Sequence, residues 1–473
     1  MNCGHSTYFA LSDVAVERAL KMTQSLQSEF EKVPYRVALV LPGAERLLAV
    51  RRGGLFQLPL VNVQASFRPA QEITQYLSDE WQVQAVVVEI LRSTDEGPHT
   101  AIAEVLAWDG SQDHASMTLI GRGASDGTWL PQPVRDGLTK MSERRSSIGY
   151  VGWVEEARQW VRASLSDPVI EFDGTTRQLN GGAGFMLLRL GTKAGPAYWV
   201  KATGEPNRHE FAITQRLFEC CPSSLPSIVA VHEGWNAWAM EEVGTSLDDS
   251  VEAGTIALVA QSLARLQQAT LGRGQVFAYA GCGDQRVETL RSYLPAFMAC
   301  GKTLATESSL VAGGEVSIDM VARAEAVIEA ALSTAQHLEI PDAINNNDMK
   351  LANILFDGTR AAFTDWCHAY WGNPFLTFQH LHTYLSRRLP ALGRVFQETY
   401  VAEWTALLSE GQISGALTLA PVIAPYAYLS ARGPQSLLAR SGEPGFRKYF
   451  ANILRRIVKA GGELRGKEQW VYA

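Results

Sequence analysis

The chain has 473 residues, 42 Lys and Arg against 49 Asp and Glu, a net charge of −7 and 46% hydrophobic residues, the mixed composition of a globular protein long enough for two or three cores. That acidic balance, with no RRM, helix-turn-helix or zinc-finger pattern, argues against a nucleic-acid partner. No apolar run approaches the roughly 20 residues that cross a bilayer, no basic segment precedes an apolar one at the start, and six cysteines lack CxxC spacing, so the expectation is a cytoplasmic protein with reduced thiols and no membrane partner.

In chain order, residues 1–148 read as one α/β domain. Apolar runs at 35–43 and 46–52 predict two strands joined by a Pro-Gly turn, 71–80 a helix, and 83–91 and 100–108 two more strands. Polar stretches at 109–128 and the charged run 141–147 predict a boundary. Residues 149–245 read as an entry helix followed by a small sheet carrying one helix. First comes a helix at 152–165, with Trp153, Ala157, Trp160 and Val161 on one side. Strands follow at 168–172, 185–190 and 197–202, then a helix at 207–218 and strands at 227–233 and 237–243. Residues 246–473 are mainly helical. From Pro374 onward twelve Lys and Arg stand against six Asp and Glu, a balance that favours a neutral or anionic ligand wherever those cations line a pocket.

One stretch breaks the helical pattern: NNNDMKLANILFDGTRAAFTDW, residues 345–366. Residues 353–356 and 361–364 are β-prone, and Asp357-Gly358 between them suits a reversal, because Gly takes positive φ freely. A hairpin would return Asp365 beside Asn353, with Asp348 just before its mouth. Magnesium takes hard oxygen ligands, commonly one or two carboxylates plus phosphate oxygens, and Asn353 and Asp365 fit that need. Asp348 could then accept the proton of an attacking hydroxyl, and Lys350 could offset charge on a transferred phosphate. Alone, D-x-x-x-x-N is unspecific; the full set with hairpin and D-W is far less common.

That set resembles the catalytic and metal-binding loops of the aminoglycoside phosphotransferase-like kinases, which carry H-G-D-x-x-x-x-N followed by a D-W or D-F-G aspartate. The resemblance covers about residues 150–473. It implies an α+β, bilobal protein-kinase-like fold with a small β-rich N-lobe at 149–245 and a mainly helical C-lobe at 246–473. It also implies use of ATP, or another NTP, with Mg2+, Asp348 being the base and Asn353 and Asp365 the metal ligands. Lys201 in AYWVKA and Glu210 on the next helix resemble the lysine–glutamate pair that orients nucleotide phosphates. Gly181 and Gly182, in Asn180–Gly184, stand where a phosphate-covering loop belongs. Met240, Glu241 and Val243 stand where the lobes join and the adenine is met. Two departures stand out: Asn346 and Asn347 replace the usual His-Gly, and Thr377 ends a motif that usually closes on a carboxylate.

Residues 58–83 of the front domain resemble a Nudix box, with a Leu-Pro entrance, a loop and then a helix. Asp79 and Glu80 remain of its acidic set, but the Arg, the first Glu and the glycines do not, so a hydrolase is not expected there. The leading expectation is a phosphotransferase acting on a small-molecule hydroxyl, neutral or anionic, with homo-oligomer contacts assigned to the Nudix-like domain. The alternatives are a nucleotide-binding pseudokinase whose front domain senses a ligand or partner, and, with less support, a protein kinase. A long activation loop after Asp365 is missing from the sequence.

Overall fold

The computed structural model describes residues 32–465, apart from 44–45, 53–54, 65–67, 94–96, 109–116, 122–128, 143–146, 166–169, 183, 310–314 and 444. Most of the predicted boundary stretches at 109–128 and 141–147, and the first part of the strand expected at 168–172, lie outside the described residues. The described residues divide into two compact units, one within 32–211 and 226–242 and the other within 212–225 and 243–465.

The first unit holds two sheets. β1 (Lys32–Val40), β2 (Arg46–Arg52), β3 (Leu55–Gln57), β4 (Leu60–Gln64), β5 (Val83–Leu91), β6 (His99–Trp108) and β7 (Met117–Gly121) form the first, in the order β3-β2-β1-β6-β5. β4 pairs with β1, and β7 with β2. β1 and β6 are parallel; β5 and β6 are antiparallel. Both faces are covered, as the strand period of two shows. Val37 and Leu39 meet Ile73 and Leu77 of the helix Pro69–Trp81, whereas Ala38 and Val40 meet Val134 and Leu138 of the helix Gln132–Ser142.

The second sheet contains β8 (Phe172–Asn180), β9 (Phe185–Thr192), β10 (Tyr198–Thr203), β11 (Ile228–His232) and β12 (Ala237–Glu241), in the order β11-β12-β10-β9-β8. The helix Trp153–Ser164 lays Trp153, Val154, Ala157 and Val161 on Leu188, Leu190, Val200 and Ala239, matching its apolar spacing. β8 is longer and later than the strand expected at 168–172. Its sequence, FDGTTRQLN, is polar because it is an edge strand with few buried positions, so neither alternation nor β-propensity marks it.

The second unit is mainly helical, with long helices at Ala253–Ala269, Val287–Ser309, Ile318–His337, Phe375–Arg388, Pro390–Trp404, Glu410–Ser430 and Phe446–Arg465. Glu410–Ser430 is long and apolar enough to span a bilayer by composition, but most of its residues are buried in the helical cores. Two small sheets sit among these helices. β13 (Thr245–Ser246) pairs with β16 (Ile354–Phe356), which pairs with β17 (Ala361–Phe363). β14 (Gly283–Gln285) and β15 (Ala343–Asn346) both pair with β18 (Ala369–Gly372). These two sheets carry the asparagine-rich segment and the hairpin.

Candidate active site

The hairpin forms: Ile354 faces Phe363, Leu355 faces Ala362 and Phe356 faces Ala361. Its reversal takes four residues, 357–360, and not the Asp357-Gly358 pair alone. Gly358 has φ +97°, and the Asp357 carboxylate accepts from the Thr359 amide (2.8 Å), the Thr359 hydroxyl (2.7 Å) and the Arg360 amide (2.9 Å). These bonds, led by the Thr359 hydroxyl, hold the Asp357 carboxyl down at about 2. A depressed carboxyl stabilises the fold fully above its ordinary value of 3.8 and loses that contribution as pH falls towards 2. Asp357→Ala is therefore expected to destabilise the protein at neutral pH by up to about 1 kcal/mol, a difference from wild type that shrinks below pH 4 in urea titrations.

Each of the three asparagines before Asp348 has a separate task. Asn345 is fixed from below: its Oδ1 accepts from Gln267 (2.8 Å), whose own side-chain oxygen accepts from the Tyr400 hydroxyl (2.7 Å). Asn346 is wholly buried. Its Oδ1 accepts from the Asp348 amide (2.8 Å) and its Nδ2 donates to the Asp365 carbonyl (2.8 Å), so one side chain ties the two loops together. Asn347 donates its amide to the His368 carbonyl, extending the β15–β18 ladder. The Thr377 hydroxyl accepts from the Asn346 amide (3.1 Å) and donates to the Asn346 carbonyl (3.0 Å). Asn346 and Thr377, both departures in the sequence, therefore act together. Asn346→Ala would strand the Asp348 amide and the Asp365 carbonyl, and is expected to cost roughly 2–4 kcal/mol in denaturant unfolding.

Asp348 stands at the head of this scaffold. Asn353 Nδ2 donates to its carbonyl (2.8 Å) and to its Oδ2 (3.2 Å), and Lys350 Nζ sits 2.8 Å from the same Oδ2. Lys350 is thus paired with Asp348. Asn353 also receives the Thr364 amide on its carbonyl (2.9 Å), which sets it beside the residue before Asp365. Asp365 is left-handed at φ +64°, a strained setting for a non-glycine residue, and its carboxylate accepts from Cys367 Sγ at 3.6 Å. Since the Asn353 amide nitrogen is spent on Asp348, the group it can offer a cation is its carbonyl oxygen. That oxygen and the Asp365 carboxylate are both hard-oxygen donors, the kind that Mg2+ takes.

His368 also lies near these loops, unmarked by any motif in the sequence. Burial, the larger effect, lowers its imidazole below the ordinary value, while the Asp348 and Asp365 carboxylates oppose that shift. No spacing rule marked it, because its place depends on β15 and β18 pairing across more than twenty residues.

In the first unit, Lys201 Nζ and Glu210 Oε1 lie 2.5 Å apart, with both side chains almost wholly buried. The ammonium also lies 5.2 Å from the Phe185 ring and 5.7 Å from that of Trp238, which stands opposite Lys201 in the sheet. Gly182, at φ +144°, makes the turn closed by the Phe185 amide on the Gly182 carbonyl. Gly181 is confined for another reason: a Cβ there would stand 2.4 Å from the Val87 carbonyl oxygen. Met240 packs with Phe211 and Trp238. The Glu241 and Glu242 amides are committed to the Ser227 and Ala197 carbonyls. Val243 is buried in the second unit, and after it Gly244 fits against the hairpin where a Cβ would lie 1.8 Å from the Phe356 carbonyl oxygen.

No family description and no curated protein matches the chain. Among solved structures it is similar to choline kinase from Cryptosporidium parvum Iowa II, at 12% identity and TM-score 0.45, over 67% of this chain and 97% of that one. It is also similar to a choline/ethanolamine kinase family protein from Mesorhizobium loti, at 16% identity and TM-score 0.43, over 66% and 94% of the two chains. A third is a macrolide 2'-phosphotransferase from Brachybacterium faecium, at 16% identity and TM-score 0.42, over 63% and 98%. These neighbours are small-molecule kinases; a likeness of that degree assigns neither activity nor substrate to this chain.

Proposed function

We propose that the protein is an ATP- and Mg2+-dependent phosphotransferase of protein-kinase-like fold that phosphorylates a hydroxyl of a small molecule. One observation carries the reading: Asn353 holds the Asp348 carboxylate while Asn346 ties Asp348 to Asp365. A base and two oxygen ligands need that mutual fixing to act on one phosphoryl group. In this reading Asp348 accepts the acceptor's proton, Asn353 and Asp365 hold the metal, and Lys201, oriented by Glu210, neutralises nucleotide phosphate charge. Lys350 meets the transferred group by leaving Asp348 as that carboxylate takes up the proton. Gly181 and Gly182 belong to the phosphate-covering turn, and Met240, Glu241 and Val243 to the adenine side.

The basic balance after Pro374 supports a neutral or anionic acceptor; the acidic balance of the whole chain supports no nucleic-acid partner, and no membrane partner is proposed. The front domain we read as Nudix-like without hydrolase activity: Asp79 and Glu80 are exposed, and Asp79 is engaged by Gln75 at 2.8 Å. It would serve a structural, ligand-sensing or homo-oligomer role in a cytoplasmic enzyme. A pseudokinase is the second reading, favoured by the Lys350 ion pair, which occupies the Asp348 carboxylate. Incubating the protein with MgATP and a panel of metabolites, with mass spectrometry for a phosphoryl adduct, separates the two. Turnover supports the enzyme; nucleotide binding without turnover across the panel supports the pseudokinase.

A further inference from the structure

β5 and β8 are edge strands of different sheets in the first unit, and one side chain joins them. Gln178 Oε1 accepts from the Val87 amide at 2.8 Å, and Gln178 Nε2 donates to the Val87 carbonyl at 2.8 Å. A side-chain amide thus exchanges the pair of hydrogen bonds that a neighbouring strand's peptide group would supply. The setting is dry: Val87 has no exposed surface and Gln178 is 2% exposed. Without Gln178, both backbone groups of Val87 would be buried and unsatisfied.

Both strands are irregular at the join. In β5 the register steps from Val87 to Glu89, leaving Val88 extra; in β8 it steps from Gln178 to Asn180, leaving Leu179 extra. Bulges of this kind re-aim the chain. The β8 bulge leads directly into Asn180-Gly181-Gly182. Gly181 lies against the clamp, since a Cβ there would stand 2.2 Å from Gln178 Nε2 as well as 2.4 Å from the Val87 oxygen. The helix Pro69–Trp81 also lies against β8, and Val86 is buried in the core of the second sheet.

We propose that Gln178 is a positioning residue through which the front domain braces the glycine turn, so that the front domain sets how tightly that turn covers a nucleotide's phosphates. The inference rests on the phosphotransferase reading for its ligand, though not for its mechanics. A rigid turn pre-orients its amides and spares the ordering cost of binding, so the brace acts on triphosphate affinity and leaves the base and ribose alone.

The test compares full-length wild type with Gln178→Met, which keeps the volume and removes both bonds. Isothermal titration with MgATP and with adenosine, and hydrogen exchange at Gly181, Gly182, Gly184 and Phe185, are the readouts. MgATP affinity should fall about tenfold, adenosine affinity should hold, and exchange at those amides should quicken. Unchanged exchange, or equal weakening of MgATP and adenosine as in a general loss of packing, overturns the brace. Should wild type bind neither ligand, the phosphotransferase reading fails and the exchange comparison still decides the brace. Gln178→Glu gives a second route if the Met variant does not fold. A protonated carboxyl can donate to the Val87 carbonyl and accept from its amide, whereas a carboxylate cannot donate. Exchange in that variant should therefore slow towards wild type as pH falls, after correction for intrinsic rates; a corrected rate independent of pH counts against the brace.

Discussion

Asp348→Asn is expected to lower kcat by about a hundred- to ten-thousand-fold while leaving nucleotide binding and folding nearly intact. The substitution keeps the shape and removes the proton acceptor. Little structural support goes with it, because the strong local bonds use Asp348's backbone: Asn346 accepts from its amide and Asn353 donates to its carbonyl. Only the Lys350 pair is lost outright. Lys350 is 46% exposed and Asp348 21% exposed, so that pair is worth at most about 1 kcal/mol. A kinetic defect of several orders beside so small a stability change would assign the chemistry to the carboxylate. Asn353→Ala makes the companion case, since it should raise the Mg2+ concentration for half-maximal rate, which Asp348→Asn should not. A variant Asp348→Asn with more than a tenth of wild-type turnover would remove Asp348 as the base.

The hairpin and its flanking aspartates were legible because their signals are local: β-prone triplets, an Asp-Gly at the reversal, and acids at both mouths. The helix Trp153–Ser164 was legible for the same reason, its apolar spacing being complete within three turns. The joins were not legible. Gln178 and Val87 are 91 residues apart, and nothing near either residue announces the other. Asn346 and Thr377, 31 residues apart, read in sequence as two separate losses. In the fold they support one loop, Asn346 through its side-chain amide and Thr377 through its hydroxyl on the Asn346 backbone. Likewise β8 was misplaced because an edge strand is specified by its partner's register more than by its own residues.

Lys201→Met is expected to destabilise the protein by about 3–5 kcal/mol, because it breaks a buried ion pair by removing the cation 2.5 Å from Glu210, whose side chain is 1% exposed. Taken alone, loss of nucleotide binding in that variant would say little, since a damaged fold binds poorly for any reason. The double variant Lys201→Met, Glu210→Leu separates the causes. Replacing a buried ion pair by apolar groups of similar volume is often neutral or stabilising by about 1–4 kcal/mol. Here the surroundings suit the exchange: Phe185 and Trp238 already face the lysine, and Met240 packs beside Trp238. The double variant should therefore unfold near the wild-type denaturant midpoint yet bind MgATP far more weakly, with adenosine affinity retained. Stability recovered together with full MgATP affinity would make Lys201–Glu210 a structural pair and remove the cation from the nucleotide site. Stability that stays low in the double variant would instead mean that the lysine stem and the glutamate are packed too specifically for methionine and leucine to replace.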